Sequence, residues 1–143
     1  MKIRDIMTTD VEVISPDATV QEAAKLMKDL DVGAIPVCDG ERLLGMLTDR
    51  DITSRSVAEG MHPAETKAHE TMTPNVIYCY EDQDLEEAAL IMMEEQIRRL
   101  PIISRDKRLV GIISLGDVAV DVDDSEVSGD TLSEISEPSE PDR

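Results

Sequence analysis

The apolar residues of this chain follow a helical spacing at two places. The first predicted helix begins after Thr19, which forms a capping box with Glu22. Asp84 and Glu87 stand in the same relation before the second helix. In both helices the apolar residues recur at intervals of three and four, so that they share one face. The two faces are Val20, Ala23, Ala24, Met27 and Leu30, and Leu85, Ala88, Ala89 and Met92.

Short apolar runs bounded by turn residues predict strands around each helix. An extended piece precedes each helix, and a pair of runs flanking a turn follows it, which is the pattern of a β-hairpin. The extended pieces are residues 11–14 and 76–80, and the paired runs are 34–38 with 43–48 and 100–104 with 109–114. A further helix is predicted from Asp49 to about Glu59, and a shorter one follows Ser114.

These elements form an internal repeat. Corresponding residues are 65 positions apart, and 66 apart after one additional residue in the second copy. So long a register does not arise by chance, and it indicates two copies of one structural unit. The matched pairs include Val11 and Val76, Glu22 and Glu87, Pro36 and Pro101, Gly45 and Gly111, and Asp51 and Asp117.

Each copy has the element order β-α-β-β-α. So small a unit exposes too much apolar surface to be stable alone, so we expect the two copies to pack together. The predicted fold is α/β (α+β), with two units related by pseudo-twofold symmetry. We expect one unit at residues 1–60, the second at 61–122 and a tail at 123–143.

Charge limits the partners of the protein. The formal net charge is −18, whereas nucleic acids and anionic membrane surfaces are bound by basic faces. We therefore expect neither as a partner. The sequence has no run of about 18 apolar residues that could span a membrane. The first residues lack the apolar stretch of a signal peptide, so we expect a cytoplasmic protein.

Composition predicts an aliphatic core. The chain has no Trp and no Phe, and eight Met together with Ile, Val, Leu and Ala must fill the interior. In the cytoplasm Cys38 and Cys79 are expected to be reduced, buried thiols, with a disulfide or a metal role as the alternative. Residues 121–143 contain nine acidic residues against Arg143. This tail is predicted to be disordered, either a solubilising segment or one that binds a partner or is phosphorylated.

One motif stands at the start of the last helix in each copy. Residues 45–51 and 111–117 both read as Gly, two apolar residues, Thr or Ser, two others and Asp. A structural interpretation is a capping box, with Thr48 or Ser114 as N-cap and the Asp as its partner. A functional interpretation uses the same geometry, because a helix start with a hydroxyl suits phosphate and an Asp can accept ribose hydroxyls.

With these residues the chain resembles tandem CBS domains, named after cystathionine β-synthase, along about residues 1–120. The first copy is similar to small bacterial two-CBS proteins of the hypoxic response protein type. The second is similar to the nucleotide-sensing subunit of AMP-activated kinase. The segments that carry the resemblance are residues 5–8, 33–37 and 45–52 in the first copy, and 98–101 and 111–114 in the second.

The resemblance implies a module that binds AMP, ADP, ATP or S-adenosylmethionine in clefts between the units. Asp51 and Asp117 would hold the ribose hydroxyls, and Thr48 and Ser114 would lie by the ribose and phosphate. The residues that would face or flank the adenine are Ala34 and Ile35, Arg99 and Leu100, and Val11 and Val76. The resemblance also implies a flat homodimer that signals to a regulated protein.

We expect the two sites to differ in charge. Arg98 and Arg99 precede the second strand of the second copy, where Gly33 and Ala34 stand in the first. Arg50 and Arg55 are the only candidates for charge in the first site. The site with Asp117 is therefore predicted to bind phosphate better, although Arg98 and Arg99 could also be a solvated helix end favoured by the helix dipole.

Other kinds of chemistry have little support. His62 and His69 lack positioned Cys or carboxylate partners, so we expect no metal site. No Ser-His-Asp or Cys-His arrangement can be argued, so we expect no catalytic residues and no obligatory cofactor. Two alternatives to the nucleotide sensor remain open. One is a CBS-fold interaction or stress-response protein without bound nucleotide, and the other is an enzyme.

Overall fold

The fold was derived from a computed structural model, which describes residues 1–121. The expectations for the acidic tail lie outside these residues. In chain order the elements are a short 3-10 helix at Ile3–Asp5, α1 (Val20–Leu30), β1 (Ala34–Asp39), β2 (Arg42–Thr48), α2 (Asp49–Asp51), a π-helix at Ile52–Val57, α3 (Ala68–Thr71), β3 (Thr73–Pro74), β4 (Cys79–Tyr80), α4 (Leu85–Glu95), β5 (Arg99–Ile103), β6 (Leu109–Ser114) and α5 (Leu115–Asp121). No helix within these residues has the length and apolar character needed to cross a membrane.

The described chain folds into two compact units that do not coincide with the two sequence copies. The first unit comprises residues 12–76, and the second comprises residues 1–11 together with 77–121. Each unit thus ends or begins with a segment that the sequence boundary at residues 60 and 61 would assign to the other copy.

Backbone hydrogen bonds explain how the first unit retains the segment after residue 60. The Val20 N–H donates to the Thr66 carbonyl at 2.8 Å, and the Ala68 N–H donates to the Ala18 carbonyl at 2.7 Å. In the second unit the amino-terminal residues do the same. The Ile3 N–H donates to the Gln83 carbonyl at 2.9 Å.

The first unit is built on an antiparallel sheet in the order β1-β2-β3. The predicted hairpin is confirmed, with Ala34 opposite Thr48. The extended piece predicted at 11–14 is shorter than expected, since only Ile14 pairs, with Val37. The capping box of α1 is confirmed, because the Glu22 N–H and the Thr19 hydroxyl are 3.1 Å apart. The buried core consists of Ile14, Ala23, Met27, Ile35, Val37, Leu47 and Ala68.

The second unit has a sheet in the order β4-β5-β6, in which β4 and β5 are parallel and β5 and β6 antiparallel. The second predicted hairpin is confirmed, with Arg99 opposite Ser114. Ile3 is fully buried here although it lies far away in sequence. The buried core consists of Ile3, Cys79, Leu85, Ala88, Ala89, Met92, Leu100, Ile102, Ile113 and Val118.

The capping box predicted at Asp84 is wrong. Asp84 precedes α4, but its side chain makes no capping hydrogen bond. Its carboxylate instead lies 3.3 Å from the Lys2 ammonium, and Glu87 accepts a hydrogen bond from the Gln83 side chain at 2.7 Å. A charged partner from the amino-terminal segment therefore takes the place of the local cap.

The helix predicted from Asp49 to Glu59 begins where expected but changes type. After α2 the chain continues as a π-helix, in which the Ala58 N–H donates to the Thr53 carbonyl at 2.9 Å. The Thr53 hydroxyl donates to the Asp49 carbonyl at 3.1 Å, and the Ser54 hydroxyl donates to the Arg50 carbonyl at 2.8 Å. Such back-bonding bends helices, and it accompanies the wider turn here.

Candidate functional site

Asp51 lies in the first unit, just after β2, and its residue is only 8% exposed. The Asp51 N–H donates to the Thr48 hydroxyl at 3.0 Å, and the Thr48 N–H donates to Asp51 Oδ2 at 3.0 Å. The predicted capping box is therefore confirmed, and it fixes the orientation of the carboxylate.

The second carboxylate oxygen of Asp51 is much less engaged. Oδ1 lies 3.4 Å from the Thr73 hydroxyl and 4.0 Å from Arg55 Nε. Hydroxyl hydrogen bonds are ordinarily shorter than about 3.0 Å, so these are weak contacts. Among the described residues, Oδ1 thus has no strong donor, and it is the atom that could accept a hydroxyl from a ligand.

Asp117 has the same arrangement in the second unit, where it is half-buried. The Ser114 N–H donates to Asp117 Oδ2 at 2.9 Å, and the Asp117 N–H donates to the Ser114 hydroxyl at 3.3 Å. Within the described part of the chain, no hydrogen bond is made to Oδ1. The two units therefore present equivalent carboxylates, each oriented by a local hydroxyl residue.

The strand registers bring the predicted base-facing residues beside these motifs. Ala34 pairs with Thr48, and Arg99 pairs with Ser114. Ile35 is 1% exposed and belongs to the core, so its side chain is not available to a ligand.

The compact units also assign the two extended segments. Val76 lies in the same unit as Asp51, whereas Val11 lies in the same unit as Asp117. Each extended segment thus lies in the unit opposite to its own sequence copy, because residues 1–11 belong to the second unit and residues 61–76 to the first. The sequence copies alone would place Val11 with Asp51, because the local pattern carries no information on such an exchange.

The surroundings of the two carboxylates differ in charge. In both units the first N–H of the helix after the hairpin donates to the carbonyl of the residue before the hairpin. The Asp49 N–H donates to the Gly33 carbonyl at 2.9 Å, and the Leu115 N–H donates to the Arg98 carbonyl at 2.8 Å. A Cβ on Gly33 would meet the Asp49 carboxylate at 3.1 Å, so that acid lies over the glycine. The second unit has Arg98 and Leu115 at these positions.

The arginines are placed unequally. Arg98 is half-buried, and its Nε is buried with no hydrogen-bond partner within residues 1–121. Arg99 is half-buried and Arg50 is exposed. Arg55 donates to the Met72 carbonyl at 3.0 Å and to the Thr71 carbonyl at 3.4 Å. The role of Arg55 in holding this segment was missed from sequence, as was the contact of Thr73 with Asp51, although Met72 and Thr73 do repeat Met7 and Thr8.

Both thiols are free and buried, as expected for reduced cysteines. Burial raises the pKa of Cys38 from 9.0 to about 11. Burial, with a smaller contribution from the Glu87 charge, raises the pKa of Cys79 to about 11. The described residues contain no group of three or more His, Cys, Asp or Glu side chains that could hold a metal ion.

Comparison with known proteins places these features in a family. The family model for the CBS domain matches twice, at residues 3–58 and 68–123. The CBS domain-containing protein YhcV of Bacillus subtilis is 46% identical over 134 residues, covering 94% of each chain. Hypoxic response protein 1 of Mycobacterium tuberculosis is 40% identical over 117 residues, covering 81% of each.

Solved structures share the fold. Hypoxic Response Protein I, whose crystal structure contains two coordinated zinc ions, aligns with a TM-score of 0.78 and 38% identity over 85% of this chain and 99% of that one. CBSX2 in complex with AMP aligns with a TM-score of 0.74 and 26% identity, covering 83% and 93%. The CBS domain pair of MJ0100, in complex with 5′-methylthioadenosine and S-adenosyl-L-methionine, aligns with a TM-score of 0.72 and 26% identity, covering 84% and 94%.

The resemblance seen in the motifs is thus confirmed over both copies: the chain belongs to the CBS domain family and contains two CBS domains in tandem.

Proposed function

We propose that this protein is a cytoplasmic, non-catalytic regulatory module that binds an adenosyl nucleotide, AMP, ADP, ATP or S-adenosylmethionine. The observation that carries the proposal is the pair of oriented carboxylates. Asp51 and Asp117 each commit Oδ2 to a backbone N–H at 3.0 and 2.9 Å, which leaves Oδ1 to accept a ribose hydroxyl. The AMP complex of CBSX2 and the S-adenosylmethionine complex of MJ0100 support adenosyl compounds as the ligand class.

The site that contains Asp117 is the one that binds phosphate in this proposal. Arg98 and Arg99 lie beside it, and guanidinium groups bind phosphate oxygens with charge-assisted hydrogen bonds. The site that contains Asp51 has Asp49 in place of Leu115, and this second carboxylate opposes a phosphate dianion. Arg55 Nη1 is already bound to the Thr71 and Met72 carbonyls, so this nitrogen is not available to bind a phosphate oxygen.

We further propose that the module acts as a homodimer and transmits its state to a separate regulated protein. The family resemblance supports the dimer, and apolar side chains are available for such a contact. Leu30 on α1 is 42% exposed, and Leu90 on α4 is 40% exposed. Light scattering after size-exclusion chromatography measures the mass directly.

Thermal unfolding with AMP, ADP, ATP and S-adenosylmethionine in turn tests the proposed function. A ligand at about 100 times its dissociation constant adds about 2.7 kcal/mol of stability, which raises the melting temperature by a few degrees. We expect one or more of the four to produce this shift.

The Asp117→Ala variant is the matched control for the phosphate-binding site. It is expected to lose the shift caused by the preferred nucleotide, because the ribose loses its acceptor. If none of the four compounds shifts the melting temperature of the unaltered protein, the nucleotide sensor is refuted and the interaction protein without nucleotide takes its place.

A further inference from the structure

The Asp51 carboxylate already has a hydroxyl partner inside the first unit. Thr73 Oγ1 lies 3.4 Å from Oδ1 and 3.5 Å from Oδ2. A carboxylate offers about four lone-pair positions, and the Thr48 N–H already occupies one of them at 3.0 Å. Because Oδ2 is engaged in this way, the two hydroxyls of a ribose need both lone-pair positions of Oδ1, the oxygen that the Thr73 hydroxyl also contacts. A ribose and the Thr73 hydroxyl would therefore compete for the same carboxylate edge.

A ligand hydroxyl is expected to bind Asp51 more strongly than Thr73 does, but displacing Thr73 still costs free energy. The Thr73 contact is longer than an ordinary O–H···O hydrogen bond, so a ligand hydroxyl that reaches the usual distance binds more strongly. The Asp51 side chain is 11% exposed, however, so that even a long contact is poorly replaced by water. Breaking the Thr73 contact therefore makes the free energy of ligand binding less favourable.

Three contacts keep the Thr73 hydroxyl beside Asp51. Thr73 pairs with Met46 in the sheet. Its carbonyl lies so close to β2 that a Cβ on Gly45 would approach it to 2.6 Å. Arg55 holds the preceding carbonyl of Met72 at 3.0 Å, while its Nε lies 4.0 Å from Asp51 Oδ1.

We propose that Thr73 is an internal competitor for the ribose-binding carboxylate of Asp51, and that Arg55 holds it in that position. The inference rests on the proposed function and concerns the regulation of that same site. Ligand binding at Asp51 displaces the Thr73 hydroxyl. This displacement removes one of the contacts that hold β3 to the first unit. Occupancy of the site is thereby coupled to β3, the strand from which the chain leaves the first unit.

The second copy has a threonine at the repeat position of Thr73, but among the described residues it lacks the contact with the carboxylate. Thr8 corresponds to Thr73. Within residues 1–121, the hydrogen bonds of the Asp117 side chain and backbone N–H are made with Ser114 and not with Thr8. The two nucleotide sites are thus expected to respond differently to ligand, and Thr8 offers a matched control position.

Calorimetric titration with adenosine, in the full chain carrying Asp117→Ala, isolates the Asp51 site. Thr73→Val removes the competing hydroxyl at nearly constant volume, and we expect the dissociation constant for adenosine to fall about two- to fivefold. Thr73→Ser retains the hydroxyl and Thr8→Val lies in the other unit, so both leave the constant unchanged. Binding of 2′,3′-dideoxyadenosine, which has no diol, is unaffected by Thr73→Val.

The role of Arg55 is tested by a double-mutant cycle. Arg55→Gln releases the Met72 carbonyl and is also expected to tighten adenosine binding. Because both changes act on one contact, the variant with Arg55→Gln and Thr73→Val should bind no more tightly than Thr73→Val alone. Additive effects overturn the assignment of Arg55. If Thr73→Val leaves adenosine binding unchanged or weakens it, Thr73 is not a competitor. If the unaltered protein binds no adenosyl compound at all, the proposed function itself is overturned.

Discussion

At the scale of single residues, Asp51 and Asp117 each use one carboxylate oxygen within the fold. Because Oδ2 closes a capping box, the orientation of Oδ1 is set before any ligand arrives. The residues that distinguish the two sites are neighbours of this carboxylate. They are Asp49 and Gly33 in the first unit, and Leu115 and Arg98 in the second.

The Arg99→Ala variant tests the charge difference. AMP affinity is expected to fall about tenfold, the effect of losing a hydrogen bond to a charged group, while adenosine affinity changes little. Arg42→Ala removes an equally charged but exposed side chain at the start of β2 and serves as the control. An unchanged dissociation constant for AMP in Arg99→Ala would contradict the phosphate assignment.

The two buried thiols predict a loss of stability in alkali. Their folded-state pKa values are raised from 9.0 to about 11, so the folded state resists ionisation that the unfolded chain undergoes. Their contribution to stability is complete below pH 9 and is lost as the pH rises towards 11, by up to about 2 kcal/mol for each thiol. Urea unfolding at pH 8 and pH 10.5 measures it. A variant with Cys38→Ala and Cys79→Ala should show a smaller difference between the two pH values, and an equal difference would refute the interpretation.

At the scale of elements, close approach of the chain to β2 explains the glycine in that strand. Gly45 pairs with both Val37 and Pro74, and an added Cβ would come within 2.6 Å of the Thr73 carbonyl. Gly111 in β6 lies similarly close to the Met7 side chain and the Thr8 carbonyl. A backbone atom cannot move aside as readily as the end of a side chain.

Glycine-to-alanine substitutions should therefore have opposite effects at two positions. Gly45→Ala is expected to lower the free energy of unfolding by about 1–3 kcal/mol through overpacking. Gly116→Ala in α5 meets nothing closer than the Ser114 hydroxyl at 3.7 Å, and it should raise stability by about 0.5–1 kcal/mol. Urea denaturation measures both values, and a neutral Gly45→Ala would show that β3 can shift away from β2.

Most elements could be predicted because their signals are local. The spacing of Val20, Ala23 and Met27 and the turn at Gly40 depend only on neighbouring residues. The missed features depend on distant partners. The Asp84 side chain does not cap α4 and lies beside Lys2, which is distant in sequence, and the contact between Asp51 and Thr73 requires the pairing of β3 with β2.

At the scale of the whole molecule, the exchange of segments between the sequence copies determines what each unit contains. Ile3 is fully buried in the core of the second unit, together with Leu100 and Ile113. The first unit instead takes Ala68 into its core. The cores therefore contain contacts between residues that are far apart in sequence, which slows folding relative to local contacts.

Truncation of Ile3 should lower the stability of the second unit, most of which is distant from Ile3 in sequence. Ile3→Ala is expected to cost about 2–5 kcal/mol, the usual effect of emptying a buried aliphatic site. Hydrogen exchange should show lost protection in β5 and β6 while β1 and β2 retain theirs. Leu90→Ala, at a position that is 40% exposed, is the control with a small effect. Equal loss of protection in both units would contradict this prediction and show that the two units unfold together.

The exchange of segments has a consequence for synthesis on the ribosome. The chain emerges amino terminus first, so all of residues 12–76, which form the first unit, are synthesised before the strands of the second unit. Residues 1–11 precede them, but their partners begin only at Glu81 and Gln83 and extend to the final strand. At about 5–20 residues per second, Ile3 waits about 5 to 20 s for Ile113. During this interval the Ile3 side chain lacks the core that buries it in the folded protein, and it is open to binding by a chaperone.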